Sequence, residues 1–426
     1  MLKISNGRLI DPANELDQIA DIFIDDGVIQ AIGHPPSGAT IDQEIDASGQ
    51  VVAPGIIDMS AHLREPGASH KATIASETAA AASAGITTLL CPPSTKPVID
   101  STAVAEFIQD RAALSNRARV LPIGALSKEL AGEQLAPMAA LRQSGCIAFS
   151  NARNTIANSQ TLLRCLEYAA THDYLVIFNP QDNSLVGSGV IHEGIPCTEM
   201  GLTGISEAAE TIEVARCLIL VEQSGVRAHF GQLSCDSSVK MIAQARERGL
   251  PVSADVAIHQ LLFTDENTSG FNSMFHVQPP LRSQLDRAGL LNALVTEGIQ
   301  VICSDHQPHE AAAKEAPFAA TEPGISGLET LLPLGLGLVE RGLINLSQLI
   351  HKLTVAPAQI LGIEGGTLAV GQRADIMIFD PEIQWQVSAE SLLSAGKNSP
   401  FIGSSLKGKV TNTLMAGEWV YQAGLK

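Results

Sequence analysis

The stretch Ile57-Asp-Met-Ser-Ala-His-Leu-Arg-Glu-Pro-Gly67 sets Asp58, Ser60, His62 and Arg64 at alternate positions behind an apolar run. At a strand's period of two these side chains share a face, and two imidazoles at the Ser60 and His62 positions would grip one metal ion. Ser60 is instead a neutral hydroxyl, a poor ligand for zinc, which takes thiolate, imidazole or carboxylate. A second group, Ser304-Asp305-His306-Gln307-Pro308-His309, lies far along the chain, and its Asp305 is suited to hold a metal or move a proton. Arg64 offers a planar fork that matches a substrate carboxylate.

Such residues need a frame, and the apolar pattern supplies one. Runs at Val51–Ile57, Ile86–Leu90, Val120–Ile123, Ile147–Phe149, Tyr174–Phe178, Ala228–Leu233, Val252–Val256 and Ile299–Cys303 alternate with Ala-rich helical stretches. Eight strands separated by helices predict an α/β fold, a (β/α)8 TIM-type barrel over residues 51–361 with its chemistry at the C-terminal strand ends. The residues just after each run are then the ones that matter: Ser94 after the second, Ser150-Asn151-Ala152-Arg153 after the fourth, Asn179 after the fifth, and Gln232 closing the sixth. Residues 1–50 and 362–426 read as short strands and turns, with Asn6-Gly7, Asp25-Asp26-Gly27 and Ala416-Gly417 as breaks. Together they predict one small β-sandwich domain formed by both chain termini.

Composition narrows the function. The 426 residues are 45% hydrophobic and 17% charged, enough for a sizeable core. A formal net charge of −18 argues against nucleic-acid and anionic-membrane partners, which require clustered Lys and Arg. Seven scattered cysteines without a Cys-x-x-Cys pair read as reduced and buried, in a cytoplasmic protein. No apolar run approaches the ~20 residues that span a bilayer, and without a basic segment followed by a long apolar core in residues 1–12 no secretory signal is expected.

Several segments together resemble the dihydroorotase branch of the amidohydrolase superfamily along essentially the whole chain. They are Val51-Val-Ala-Pro-Gly-Ile-Ile-Asp58, His62-Leu-Arg-Glu-Pro-Gly67, Gln278-Pro-Pro-Leu-Arg282, Ser304-Asp-His306, Pro308-His309 and Gly324-Ile-Ser-Gly-Leu-Glu-Thr330. The shorter matches Gly366-Thr-Leu-Ala-Val-Gly371 and Gly408-Lys-Val410 close the series. The resemblance implies a metal-bound hydroxide attacking a cyclic amide, with the strand-eight aspartate handling the proton.

It also implies where the ligands belong, and there the chain departs from the pattern. Ser60 stands for a histidine, Asn151 lies where an aspartate is expected, and Asn179 and Gln232 stand for histidines, so His62 and Asp305 alone remain of the implied metal set. Of the implied substrate contacts Arg64 and His309 are kept, while Ser94 and Gln278 replace asparagines. No cofactor is therefore expected, and Asp305, Arg64, Ser94, Gln278 and His309 read as vestigial. The nearest type within the family is the inactive dihydroorotase-like subunit that some bacteria assemble with aspartate carbamoyltransferase, which implies a structural role in a mixed or homo-oligomer for pyrimidine synthesis. Two alternatives stay open: an active dihydroorotase with an atypical or single zinc, and a metal-free sensor binding a pyrimidine precursor through Arg64 and His309. A rebuilt site of His62, Asp305 and Cys303 and a metal pair at His306 and His309 are weighed as lesser options. The small, polar loop from Glu310 to Pro323 is expected to be mobile or to face a partner.

Overall fold

The computed structural model describes residues 1–424. Its centre is a parallel eight-stranded barrel: Ile56–Asp58, Ile86–Cys91, Arg119–Ala125, Ala148–Ser150, Val176–Phe178, Ala228–Phe230, Val252–Ala257 and Val301–Cys303, hydrogen-bonded in chain order. They are called barrel strands one to eight below. Nearly all their residues are buried, as parallel strands covered on both faces must be, which is why the sequence shows continuous apolar runs rather than alternation. Rings from neighbouring strands pack beside the covering helices, with Phe178 and Phe230 at 5.2 Å between centroids in one cluster with Leu162, Val214 and Cys217.

The barrel closes just beyond its first and last strands. Ala61 and His306 form a parallel bridge, in which His62 N donates to His306 O at 2.8 Å and His306 N donates to Ser60 O at 3.1 Å. Closure therefore runs through the residues read as functional. The first covering helix, Ile74–Ser83, is started by a reciprocal Thr73–Ser76 capping box. From its first turn Glu77 reaches His306 Nε2 at 2.7 Å, tying helix to strand-eight loop inside the protein.

One sequence expectation needs correction. The run Val51–Ile57 is two strands, since Val51–Pro54 pairs with Ile376–Gln386 and Leu2–Asp11 in the terminal sheet, and only Ile56–Asp58 enters the barrel. Gly55 lies at the break, where a Cβ would collide with the Thr87 side chain. The terminal sheet has eight strands drawn from both ends of the chain, over a core that includes Ile4, Leu9, Ile22, Val52, Ile376 and Leu414.

Between barrel strand five and the helix Ala208–Ser224 lies an excursion that the sequence did not announce. It holds two short helices, Asn183–Val186 and Ile195–Met200, and a parallel pair of two-residue strands, Ile191–His192 and Gly204–Ile205. The loop after strand eight, expected to be mobile or to face a partner, is anchored by side-chain contacts. Lys314 is buried and donates to His276 O (3.2 Å) and Glu322 O (2.6 Å), Phe318 stacks on His276, and Glu322 pairs with Lys71 at 2.8 Å. That loop is packed onto the barrel, with one face left to solvent. All seven cysteines are buried and unpaired, and no helix among the described residues is long and apolar enough to cross a membrane.

Candidate functional site

At the barrel mouth the strand ends converge through hydrogen bonds between side chains from five strands. Ser60 Oγ accepts from Gln232 Nε2 at 2.5 Å and donates to Asp305 Oδ1 at 3.4 Å. Gln232 Oε1 accepts from Arg153 Nη2 (2.6 Å) and from Asn179 Nδ2 (3.2 Å), and Asn179 Oδ1 accepts from Ser150 Oγ at 3.5 Å. Gln307 Nε2 covers both oxygens of Asp305 at 3.2 Å. Arginine has only donors, so its contact fixes which end of the Gln232 amide faces Ser60.

Local backbone geometry aims these groups. Gln232, Asp305 and Arg64 have φ of 56°, 45° and 62°, a left-handed conformation that costs a non-glycine residue roughly 1–2 kcal/mol. Gln232 and Asp305 each lie two residues past a strand end, and Arg64 lies in the loop that follows the first barrel strand. Their surroundings hold the strained geometry, since Gln232 N donates to Asp255 Oδ1 at 2.6 Å and Asp305 is fully enclosed.

Electrostatics follow from that enclosure. Burial pushes the Asp305 carboxyl up to about 7, with Asp255 and Asp58 adding to the rise while Arg153 and Gln307 oppose it. Burial likewise takes Asp58 to about 6, against the Ser304 hydroxyl and N–H that hold its carboxylate. His62 is driven far below its ordinary value by burial and then by Arg64, His306 and Arg153, so its imidazole is neutral. Neither ring nitrogen of buried His259, just past strand seven, has a hydrogen-bond partner, and burial with Arg153 takes it to about 4.

The remaining sequence candidates separate into groups. Arg64 Nε donates to Pro308 O at 3.0 Å, and its Nη2 lies 2.9 Å from His309 Nε2, so these two sit together. They are engaged with each other and with Lys71, whose Nζ is 3.1 Å from His309 Nδ1. Burial, Arg64 and Lys71 take His309 down to about 3. Gln278 donates to Gln181 Oε1 at 2.8 Å beside the strand-five loop, and Ser94 is exposed on the strand-two loop, apart from the network.

Asn151 differs from its expected place. Its Oδ1 accepts from Ser127 Oγ at 2.6 Å, and its Nδ2 donates to Leu130 O and Asn154 O at 3.1 and 2.7 Å, so it braces loops instead of filling the mouth. Cys303 donates to Asp255 Oδ1 at 3.3 Å, and its burial beside that carboxylate pushes the thiol up, which disfavours a rebuilt site with His62 and Asp305. His306 is committed to Glu77 and to Gly327 N, which leaves it no lone pair to share with a metal at His309. His229 is turned into the barrel wall, 2.8 Å from both Ser253 Oγ and Asp255 Oδ2.

The residue that sequence reasoning missed is Arg153. It was visible as a strand-four end residue, but nothing in spacing reveals that its side chain meets Gln232, 79 positions away. An arginine on a strand end that otherwise offers only Ser, Asn and Ala was the available signal.

Family kinship implies zinc at this mouth, and the side chains can be tested against it. A catalytic zinc takes about three protein ligands with lone pairs converging at ~2.0–2.2 Å. Here Gln232 turns an N–H toward Ser60, its carbonyl is occupied by two N–H donors, and the Arg153 guanidinium brings a fixed positive charge. His62 and Asp305 alone remain as ligands. The residues do not fit a catalytic zinc, and no chemical step is derived through one.

Comparison with known proteins gives a consistent picture. A family model described as "Dihydro-orotase-like" matches residues 49–238, and one described as "Amidohydrolase family" matches residues 192–420. A dihydroorotase-like protein of Pseudomonas aeruginosa is 51% identical over 421 residues, covering 99% of both chains. A dihydroorotase of Geobacter sp. (strain M21) is 41% identical over 423 residues, covering 99% of this chain and 100% of its own. Among solved structures, an L-hydantoinase (dihydropyrimidinase) from Arthrobacter aurescens superposes with a TM-score of 0.89 at 23% identity, covering 100% of this chain and 96% of that one. At that identity the likeness is one of fold.

Proposed function

The chain belongs to the dihydroorotase-like amidohydrolases, and on that footing we propose that it is a non-catalytic member that serves as a structural subunit of aspartate carbamoyltransferase. One observation carries the first half of this reading: the Gln232 amide bridges Ser60 and Arg153 across the position a catalytic cation would need. The amide, the hydroxyl and the guanidinium satisfy one another, so the mouth closes on itself without an ion. Arg153 supplies positive charge facing Asp305, the role a metal otherwise plays for that carboxylate.

The partner half rests on the kind of family member the sequence resembles. A barrel's packing does not depend on its strand-end ligands, so the frame can be kept for assembly when the chemistry is gone. The packed Glu310–Pro323 loop leaves Ala311, Ala312, Pro317 and Ala319 exposed at the mouth, a small-residue surface against which another chain can lie closely.

The test pairs an assay with a pull-down. Purified chain supplied with zinc should give no conversion of dihydroorotate to carbamoyl aspartate above background, and it should co-purify with aspartate carbamoyltransferase from its own host. Zinc-dependent turnover would overturn the first half, and separate elution with full transferase activity would overturn the second.

A second reading, an atypical hydrolase, draws on one feature. Asp305, raised to about 7 and in contact with Ser60, has the poise of a general acid–base group. The same turnover assay decides it. The sensor reading is weakened by geometry, because Arg64 and His309 are already packed within hydrogen-bond distance of each other, Pro308, Pro323 and Lys71.

A further inference from the structure

We infer that the excursion after barrel strand five carries a divalent-metal site separate from the barrel mouth, formed by His192, Glu207 and Asp286. These residues come from three distant pieces of chain: the short strand Ile191–His192, the turn before helix Ala208–Ser224, and the first turn of helix Gln284–Val295. One ring nitrogen and one oxygen from each carboxylate lie within 4.8 Å of one another. His192 and Asp286 are buried, and Glu207 is partly so.

Donor chemistry sets the class of ion. One imidazole and two carboxylates suit a borderline first-row dication, zinc or manganese, better than a soft thiolate metal. Ligands at ~2.0–2.2 Å from zinc would sit about 3.3–3.5 Å apart. The three groups therefore close by at most about 1.5 Å on binding, a movement to which the partly exposed Glu207 can contribute.

Charge points the same way. Glu207, Asp286 and the buried Glu210 lie near the cation Arg282, whose Nε donates to Ser234 Oγ (3.0 Å) and whose Nη1 donates to Ile205 O (2.9 Å). Glu210 is already spent on Ser234 and on Cys235 N, which leaves Glu207 and Asp286 as the pair to be neutralised. Arg282 Nη1 also lies 3.2 Å from His192 Nδ1. It keeps its other two partners when that contact yields to an ion. Asp286 is held in place by Ser283 Oγ at 2.6 Å and by Asp236 N at 3.1 Å, so one ligand is preset.

Such an ion would pin the excursion to helix Gln284–Val295. The test is titration of the chelator-stripped full chain with Zn²⁺, and separately with Co²⁺ read by its visible absorption. One saturable equivalent is expected, unchanged in a His62→Ala/Asp305→Asn double variant and weakened at least ~10-fold in His192→Ala and in Asp286→Asn. Asp286 also braces its helix, so cooperative thermal unfolding of each metal-free variant is checked, and His192→Ala, which leaves the Ser283 and Asp236 contacts of Asp286 in place, is decisive if Asp286→Asn does not fold. Absence of saturable binding would overturn the site, as would binding abolished by the His62/Asp305 pair or retained in His192→Ala.

Discussion

Arg153 and Asp305 set the behaviour of the barrel mouth, and each makes a measurable prediction. Arg153 donates a short hydrogen bond to Gln232 and brings positive charge to an enclosed carboxylate. Arg153→Ala should lower unfolding free energy by about 1.5–3 kcal/mol, the range for hydrogen bonds to charged groups. Urea denaturation measures it, and an unchanged midpoint would show that the guanidinium is dispensable there. Asp305 has a raised value, about 7 against an ordinary 3.8. Below pH ~4 folded and unfolded forms both hold the proton. Between that value and about 7 the folded form alone keeps it, so stability falls as pH rises, then levels off. Asp305→Asn should remove this slope, so its melting temperature gains on the native chain between pH 5 and pH 8. A constant difference across that range would show that Asp305 is ionised throughout.

At the scale of elements, the barrel strands were legible because buried parallel strands must be apolar on both faces, and seven of the eight expected runs contain the observed strand or overlap it closely. The first was misread, since the apolar run passes without a break from the terminal sheet into the barrel, and the division falls at Gly55, close against Thr87. Gly55→Ala should therefore destabilise the protein by roughly 1–3 kcal/mol through overpacking, seen as an earlier urea midpoint. The excursion holding His192 was invisible because two-residue strands and helices of four and six residues have no readable period. The loop Glu310–Pro323 is small and polar in composition, and Lys314 and Phe318 anchor it while Lys71 clamps Glu322. Lys71→Ala should remove about 1 kcal/mol of that anchoring and raise amide exchange across 311–322 about fivefold. Unchanged exchange would mean that the buried Lys314 and Phe318 hold the loop alone.

For the whole molecule, the lesson is that frame and site can be separated. Strand-end substitutions at Ser60, Asn179 and Gln232 were legible one by one, because the resemblance fixes where each ligand belongs. Their joint consequence was not: a network closed by Arg153 depends on contacts between residues 29 to 245 positions apart. Asn151 shows the limit of position-by-position reading, since its amide serves the Ser127 loop. The terminal sheet and barrel together place an amidohydrolase frame around a mouth whose side chains hydrogen-bond one another. The most direct measurement is an anomalous difference map at the zinc absorption edge, from crystals of the full chain grown with zinc. The account predicts no peak at the barrel mouth, whatever is found beside His192. A peak within ~2.3 Å of both His62 and Asp305 would contradict it, and Gln232 would then have released Ser60 to let the ion in.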